Sequence, residues 1–277
     1  MVEQHIASGK GVTVAALRTP IEQADQFGVI ETAANGRDIA AFREKPSDPV
    51  GLPDAPDQVY ASMGNYVFST EALITTVSAD AADETSKHDL GGNIIPALVA
   101  QNDAQVYDFA SNEVPGATPR DRGYWRDVGT IDSYYEAQME LVSIHPVFNL
   151  YNYEWPIFTD YGPYPPAKFV KGSKGSKVES LNTAVSPGVV VSGASITNSV
   201  LSPRCHIHSF AQITDSVLLD DVDVGRNAVV RRAIIDKNVR VPDGVSIGVD
   251  READLARGFM VTDSGITVVG KGQVIKP

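Results

Sequence analysis

Apolar residues recur along residues 183–250 in steps of six, six and five, so that the pattern returns every 17 residues. Four segments of this length align and give three apolar columns: Ala184, Leu201, Leu218 and Ile235; Val190, Ile207, Val224 and Val241; Ile196, Ile213, Val230 and Ile247. Such a hexad period is typical of a parallel β-helix, in which each coil stacks three short strands on the next coil. An α-helix, with about 3.6 residues per turn, cannot keep these columns on one face. The repeat therefore predicts a left-handed β-helix domain over 183–277.

Small residues add a fourth column to the same repeat, made of Ala194, Ala211, Ala228 and Val245. Cys205, the single cysteine of the chain, falls in a column with Gly188, Val222 and Val239. A small residue packed inside the coil is therefore the expected role of Cys205, rather than a reactive thiol. One cysteine also excludes an intrachain disulfide.

The first half of the chain alternates between strand patterns and helix patterns. Short apolar runs predict strands at 12–17, 27–32, 38–44, 59–68 and 105–109, with a hairpin turn at Asn35-Gly36. Polar caps and helical periodicity predict helices that begin at Ser69, near Asn93 and at Ile131, the last capped by Thr130 and running to Ile144. This alternation predicts an α/β domain with a mixed sheet over 1–145.

Residues 146–182 are rich in Pro, Tyr and Gly and show no sustained periodicity. We interpret them as an extended connector between the two domains. Because a flexible linker with so many exposed aromatic residues would favour aggregation, we expect these side chains to pack against a domain.

The composition and charge of the chain argue against nucleic-acid binding and membrane insertion. The net charge is −12 and the sequence pI is near 4.8, which argues against a nucleic-acid-binding surface. No apolar run has membrane-spanning length, and the first residues resemble neither a signal peptide nor a lipidation site. These features predict a cytoplasmic protein.

Two polar clusters stand out in the α/β half. In Phe42-Arg-Glu-Lys-Pro46, Lys45 at a strand end could hold a phosphate, and Glu44 could accept hydrogen bonds from sugar hydroxyls. In Gly123-Tyr-Trp-Arg-Asp-Val-Gly-Thr130, we expect a strand that runs into a helix cap, with Asp127 at its carboxyl end. Asp127 could bind Mg²⁺ together with phosphate oxygens. The alternatives are a solvated strand end for the first cluster and a turn-forming Asp for the second.

Several motifs occur together in one order: FREKP, ASMGNYVF, HDLGGNIIP, GYWRDVGTIDSYYEA, WPIFT, PPAKF and the β-helix repeat. This series resembles bacterial glucose-1-phosphate adenylyltransferase, the ADP-glucose pyrophosphorylase of glycogen synthesis, from residue 1 to about 269. The resemblance implies a Rossmann-like nucleotidyltransferase domain followed by the β-helix. It also implies a reaction of ATP with α-glucose 1-phosphate that gives ADP-glucose and pyrophosphate, with Mg²⁺.

The resemblance implies roles for individual residues. Lys45 matches a lysine on the sugar phosphate, Glu44 an acid on the glucose hydroxyls, and Asp127 a carboxylate on the catalytic Mg²⁺. Four further matches are the sugar contact Ser62, the backbone approach at Gly28, Trp125 beside the metal site and the site-lining Asp89. For the β-helix, the resemblance implies a homotetramer and an anionic effector, for which Arg231, Arg232 and Lys237 are candidate contacts.

The sequence departs from this family in one respect. No Gly-rich GGxGxRL-type loop follows a strand, because the only glycines in the first 30 residues are Gly9, Gly11 and Gly28. We therefore expect a partial nucleotidyltransferase domain with an exposed apolar sheet edge and no pyrophosphorylase activity of the chain alone. A start codon assigned too late would account for this departure.

Three alternatives remain open. A non-catalytic regulatory or assembly subunit would explain the missing nucleotide loop. A pyrophosphorylase for another sugar, such as mannose 1-phosphate, would carry similar motifs. An acyltransferase with a catalytic His206 or His208 is the third, although it leaves the α/β half unexplained.

Overall fold

The computed structural model describes residues 1–159 and 162–276 and divides into two compact units, 1–114 and 115–277. The predicted α/β architecture and the predicted β-helix are both present. The expected division into 1–145, 146–182 and 183–277 stays a prediction, and Asp160, Tyr161 and Pro277 lie outside the described residues.

The first unit contains five strands and three α-helices. They are α1 Val2–Ser8, β1 Val12–Pro20, β2 Gly28–Thr32, β3 Ile39–Glu44, β4 Gln58–Phe68, α2 Thr70–Ala81, α3 Ile95–Ala100 and β5 Ala104–Asp108. A π-helical turn, Leu90–Ile94, leads directly into α3. The Ser69 hydroxyl accepts a hydrogen bond from the Ala72 N–H and caps α2 as the sequence predicts.

The strands form one mixed sheet in the order β3-β2-β4-β1-β5. Strands β1 and β5 are parallel, and the other neighbours are antiparallel. Helix α3 lies against one face, where Ile95 and Leu98 pack with Val14, Ile30 and other buried residues. Strand β3 also contacts the π-helical turn that leads into α3.

The exposed apolar edge that we expected is not found at β5. The backbone N–H of Val106 donates to the Arg37 carbonyl at 2.8 Å, and Gln105 forms an antiparallel bridge with Asp38. The side chain of Gln4 donates to the Val106 carbonyl at 2.9 Å. Because the chain before β3 returns to β5, the Val106 N–H and carbonyl on this edge both have partners.

The second unit is built around the β-helix. Its strands are β6 Lys168–Val170, β7 Glu179–Val185, β8 Val190–Ser192, β9 Ser195–Leu201, β10 His206–Ile207, β11 Gln212–Thr214, β12 Val217–Leu218, β13 Asp223–Val224, β14 Val229–Arg231, β15 Ala233–Ile235, β16 Arg240–Val241, β17 Ser246–Ile247, β18 Met260–Val261 and β19 Thr267–Val269. Equivalent strands of successive coils pair in parallel, as in β8-β10-β13-β16. The coil interior is the main apolar core of the unit.

The predicted register is correct in three coils and wrong by one residue in part of the first coil. Val191, not Val190, pairs with Ile207, and Val191 is fully buried. Likewise Val185, not Ala184, pairs with Leu201. Within this coil, Ala194 follows Val191 after three positions, whereas Ala211 follows Ile207 after four in the next coil.

The one-residue shift of the first coil also changes which residue stands in the column of Cys205. The inward residue of the first coil at this position is Val189, not Gly188. Cys205 itself is buried as predicted, and its thiol donates to the Leu219 carbonyl at 3.1 Å.

Helix α4, Ile131–Leu141, packs on the outside of the coils. Thr130 caps it through a reciprocal bond with Ser133, and the helix ends three residues before the predicted Ile144. The Tyr135 hydroxyl donates to the Asp215 carbonyl at 2.7 Å, and its ring packs with Val217 and other apolar residues. Helix α5, Arg251–Ala256, interrupts the last coil.

The connector differs from the expected docked segment. Phe148 stacks on Tyr124 with ring centroids 5.2 Å apart, and Tyr164 lies under the Arg204 guanidinium at 4.7 Å. Tyr153 and Phe158, by contrast, are 86% and 90% exposed. The prediction that the aromatic residues pack against a domain is therefore confirmed for only part of the connector. Across the described ranges, no helix has the length and apolar character needed to cross a bilayer.

Candidate functional site

Three of the predicted site residues lie in one row across neighbouring strands of the first unit. Gly28 on β2 pairs with Glu44 on β3. Val29 pairs with Ala61 on β4, so that Ser62, the next residue, lies on the other side of Gly28. Strand pairing therefore brings Gly28 together with residues that are 16 and 34 positions away in the sequence. Residues in one such row project from the same face of the sheet.

Gly28 has no side chain, and the Phe42 ring and the Glu44 carboxylate occupy the space that a side chain would take. A Cβ at this position would lie 2.8 Å from the Phe42 ring and 3.1 Å from a Glu44 carboxylate oxygen. Any side chain would displace the ring or the carboxylate, because real Cβ contacts are not this short. Because Gly28 has no side chain, the Glu44 carboxylate lies directly beside the Gly28 backbone. A ligand held by this carboxylate could therefore approach the main chain closely.

Lys45 adopts a rare backbone conformation directly after this row. Its φ is +47°, although it is not a glycine and it precedes Pro46. The backbone N–H of Lys45 donates to the Phe27 carbonyl at 3.0 Å, and its ammonium lies 4.0 Å from the Glu44 carboxylate. A non-glycine residue held in the left-handed region indicates a constraint from its surroundings and often marks a functional site.

Asp89 sits at the start of the π-helical turn Leu90–Ile94. Its carboxylate accepts the Gly92 N–H at 2.6 Å and caps the turn. A Cβ at Gly91 would lie 3.7 Å from the Phe42 ring, the same ring that contacts Gly28. Phe42 therefore joins the turn of Asp89 to the row of Gly28, Glu44 and Ser62.

Asp127 and Trp125 belong to the second unit and lie in a segment without strand pairing, so the predicted strand before Thr130 is wrong. The Arg126 guanidinium fixes this segment to α4 by bonds to Glu136 at 2.6 Å and Glu140 at 3.0 Å. One Asp127 oxygen accepts the Gly129 N–H at 3.0 Å, which is the turn geometry of the simpler interpretation.

Trp125 is half-buried, whereas Asp127 is exposed. The second Asp127 oxygen has no hydrogen-bond or ion-pair partner among residues 1–159 and 162–276. A single carboxylate oxygen fits Mg²⁺ only where substrate phosphates and water supply the other ligands.

The three candidate effector contacts lie at two corners of the β-helix. Arg231 ends β14, and Arg232 is the single residue between β14 and β15; both are exposed. The Arg232 guanidinium lies 5.5 Å from the Tyr135 ring centre. Lys237 follows β15 at the next corner, with its ammonium 4.0 Å from Asp220.

A polar cluster at the end of β5 was missed by sequence reasoning. Arg18 donates to Asp108 at 2.9 Å and to Asp54 at 2.8 Å, and the Tyr60 hydroxyl donates to Asp108 at 3.0 Å. The Asp54 and Asp108 carboxylates raise the pKa of Arg18, and burial raises that of Tyr60. Asp108 pairs with Ala16, which pairs with Ser62, so the cluster extends the row of Glu44, Gly28 and Ser62. Only the strand register could have revealed this connection.

Comparison with known families matches both halves of the chain. Residues 1–143 match the nucleotidyl transferase family, and residues 165–269 match the GlmU-like C-terminal hexapeptide family. The match over residues 1–143 defines the class of protein as a nucleotidyltransferase, and the match over residues 165–269 adds a hexapeptide-repeat domain.

Curated relatives refine this class. A glucose-1-phosphate adenylyltransferase of Frankia casuarinae is 59% identical over 99% of this chain and 67% of its own length. The enzymes of the same name from Leifsonia xyli and an Arthrobacter species are each 55% identical, over 67% and 59% of their lengths. The chain belongs to the glucose-1-phosphate adenylyltransferase family of nucleotidyltransferases, and it spans about two thirds of the length of these relatives or less.

Proposed function

We propose that the first unit binds α-glucose 1-phosphate in the synthesis of ADP-glucose for glycogen. In this reaction a phosphate oxygen of the sugar phosphate attacks the α-phosphorus of ATP. The new P–O bond forms as the bond to the β-phosphate bridging oxygen breaks, and pyrophosphate leaves. Catalysis of such a transfer rests mainly on positioning and charge neutralisation.

The row of Ser62, Gly28 and Glu44, ended by the strained Lys45, is the observation that carries this proposal. Glu44 and Ser62 would accept and donate hydrogen bonds to sugar hydroxyls across the open backbone of Gly28. The Lys45 ammonium, 60% exposed, would neutralise the phosphate. Asp89 would hold the adjoining turn, and Trp125 would shape the site near Asp127.

Mg²⁺ is the metal that we propose for Asp127. When bound, it would neutralise charge on the phosphates, with the free carboxylate oxygen of Asp127 as one ligand. The bond from Gly129 to the other oxygen would keep the carboxylate oriented.

Calorimetric titration of the purified chain with α-glucose 1-phosphate tests the proposal. Lys45→Gln should weaken binding roughly 10- to 100-fold, because a charge-assisted hydrogen bond contributes about 1.5–3 kcal/mol. Glu44→Gln should weaken it less, while Lys174→Gln, an exposed lysine of the second unit, serves as the matched control. Equal binding by all four proteins, or none by any of them, would reject the proposed site.

The expectation that this chain alone forms no ADP-glucose stands beside this proposal, because residues 1–277 contain no Gly-rich phosphate loop after a strand. Pyrophosphate release from ATP and glucose 1-phosphate measures it directly. Activity of the purified chain would contradict the expectation without touching the sugar-phosphate site.

We further propose a homotetramer in the cytoplasm, with an anionic effector near Arg231, Arg232 and Lys237. The resemblance to the family supports this assembly, and the exposed aromatic residues of the connector are available for contacts between copies. Light scattering on the purified chain would give its mass, and a monomer at all concentrations would contradict the tetramer.

A further inference from the structure

Two histidines and an aspartate meet on the outer surface of the β-helix. His206 and His208 flank the buried Ile207, so that both imidazoles project outward from the same coil. Asp223 pairs with His206 one coil later and also projects outward. Strand alternation and the parallel stacking of coils therefore place three potential metal ligands side by side.

The donor atoms are close enough to share one ion. The nearer nitrogen of His208 lies 3.3 Å from an Asp223 oxygen, and that of His206 lies 4.0 Å from the other oxygen. One ligand atom of each residue lies within 4.8 Å of the other two. Ligand bonds of about 2.0–2.2 Å to Zn²⁺ bring donor atoms of a tetrahedral site to roughly 3.3 Å from one another, so small side-chain rotations would complete the geometry.

Few other side chains compete with a metal ion for the donor atoms of His206, His208 and Asp223. Among the described residues, His206 makes no hydrogen bond through its ring, and Asp223 forms ion pairs only with the two imidazoles. Arg240 follows Asp223 in the same outward column but forms no ion pair with it. The neighbouring Cys205 points into the coil, where burial raises the pKa of its thiol to about 12, so it does not compete as a ligand.

We propose that His206, His208 and Asp223 bind one divalent transition-metal ion, with Zn²⁺ as the best match, and that the ion links two successive coils. Two imidazoles and one carboxylate form a ligand set that suits Zn²⁺. The three side chains are 34–42% exposed, which leaves the fourth position open to water. The ion would join β10 to β13 across the backbone hydrogen bonds that already pair them.

The surroundings of His206 agree with this assignment. Burial, and then the neighbouring His208, lower the pKa of His206, while Asp223 opposes this shift. Neutral imidazole is the form that binds a metal, so His206 is a competent ligand at pH 7. The ring centres of the two imidazoles are 4.1 Å apart, which places both rings at the same point on the coil surface.

The test titrates the full chain with ZnCl₂ by calorimetry and with CoCl₂ by visible absorption, whose ligand-field bands report coordination. The variants are His206→Gln, His208→Gln and Asp223→Asn. His88→Gln is the matched control, because His88 also lies 2.8 Å from a carboxylate, that of Asp80, but has no second imidazole. The outward column tolerates such changes, since Val190 and Arg240 occupy it in neighbouring coils.

One Zn²⁺ should bind per chain, and each ligand variant should bind roughly 10- to 100-fold more weakly or worse, since even supporting contacts of metal ligands have effects of this size. The control should bind as the parent does. Zn²⁺ should also raise the Tm of the parent and of His88→Gln, but not that of the three variants. Failure of the parent to bind, or unchanged binding after all three substitutions, would overturn the proposal.

Discussion

Val191 and Val190 offer a sharp test of the coil register, because the two neighbouring valines have opposite roles. Val191 is fully buried in the coil and pairs with Ile207, whereas Val190 is half-buried and pairs with His206. The 17-residue repeat, extended without interruption, predicts the reverse assignment. Replacing each valine by alanine removes the same atoms from the same strand.

The expected cost differs between the two sites. At Val191, about 0.8 kcal/mol per buried carbon group, plus the cavity left behind, gives a loss of about 2–3 kcal/mol. At Val190 the loss of strand propensity and of cross-strand contacts amounts to about 1 kcal/mol or less. Because both variants lose the same strand propensity, the difference between them isolates burial.

Urea denaturation followed by circular dichroism measures both free energies of unfolding. Val191→Ala should lower the midpoint with an unchanged m-value and reduce Tm by roughly 4–10 °C. Val190→Ala should change both quantities by less than half as much. Equal losses, or a larger loss for Val190→Ala, would refute the register and restore the uninterrupted repeat.

Two further predictions concern titrating groups of the β-helix. Cys205 should react with iodoacetamide at pH 8 roughly 1,000-fold more slowly in the native protein than in urea, because burial raises its pKa to about 12; equal rates in both states would contradict its burial. Arg204 donates two hydrogen bonds to the Asp221 carboxylate and lowers the pKa of Asp221. The ion pair therefore stabilises the fold above the unfolded-state pKa of about 4. This stabilisation is lost as the pH falls through the lower pKa of the folded state. Asp221→Asn should therefore have a lower Tm than the parent at pH 7, and the gap should close in acid; a gap independent of pH would argue against the ion pair.

The sequence was most informative where residues interact at a fixed spacing. The columns of Leu201, Ile213 and Ile235 could be read directly, because stacked coils repeat the same environment every 17 residues. The first coil escaped this reasoning because one residue is absent from the corner between Val191 and Ala194. Corner lengths depend on local backbone conformation, such as the positive φ of Gly193, and apolar periodicity does not report it.

The candidate sugar-phosphate site was less predictable as a geometry. Motifs identified Gly28, Glu44 and Ser62 separately, but only the strand register places them in one row. The left-handed backbone of Lys45 was equally hidden, since residues before proline ordinarily adopt extended conformations. Asp127 was the opposite case: its bond to the Gly129 N–H is local and follows from the Asp-Val-Gly order alone.

The β-helix also explains how a cluster of potential metal ligands can arise on the outer surface of its coils. Inward positions are fixed by packing, as the unbroken series Val191, Ile207, Val224 and Val241 illustrates. The adjacent outward column has no such constraint and reads Val190, His206, Asp223 and Arg240. Because each coil brings a new residue to the same place, ligands 17 positions apart become neighbours without any change in the core. The 17-residue spacing of His206 and Asp223 therefore predicts from the sequence that they are neighbours on the outer surface.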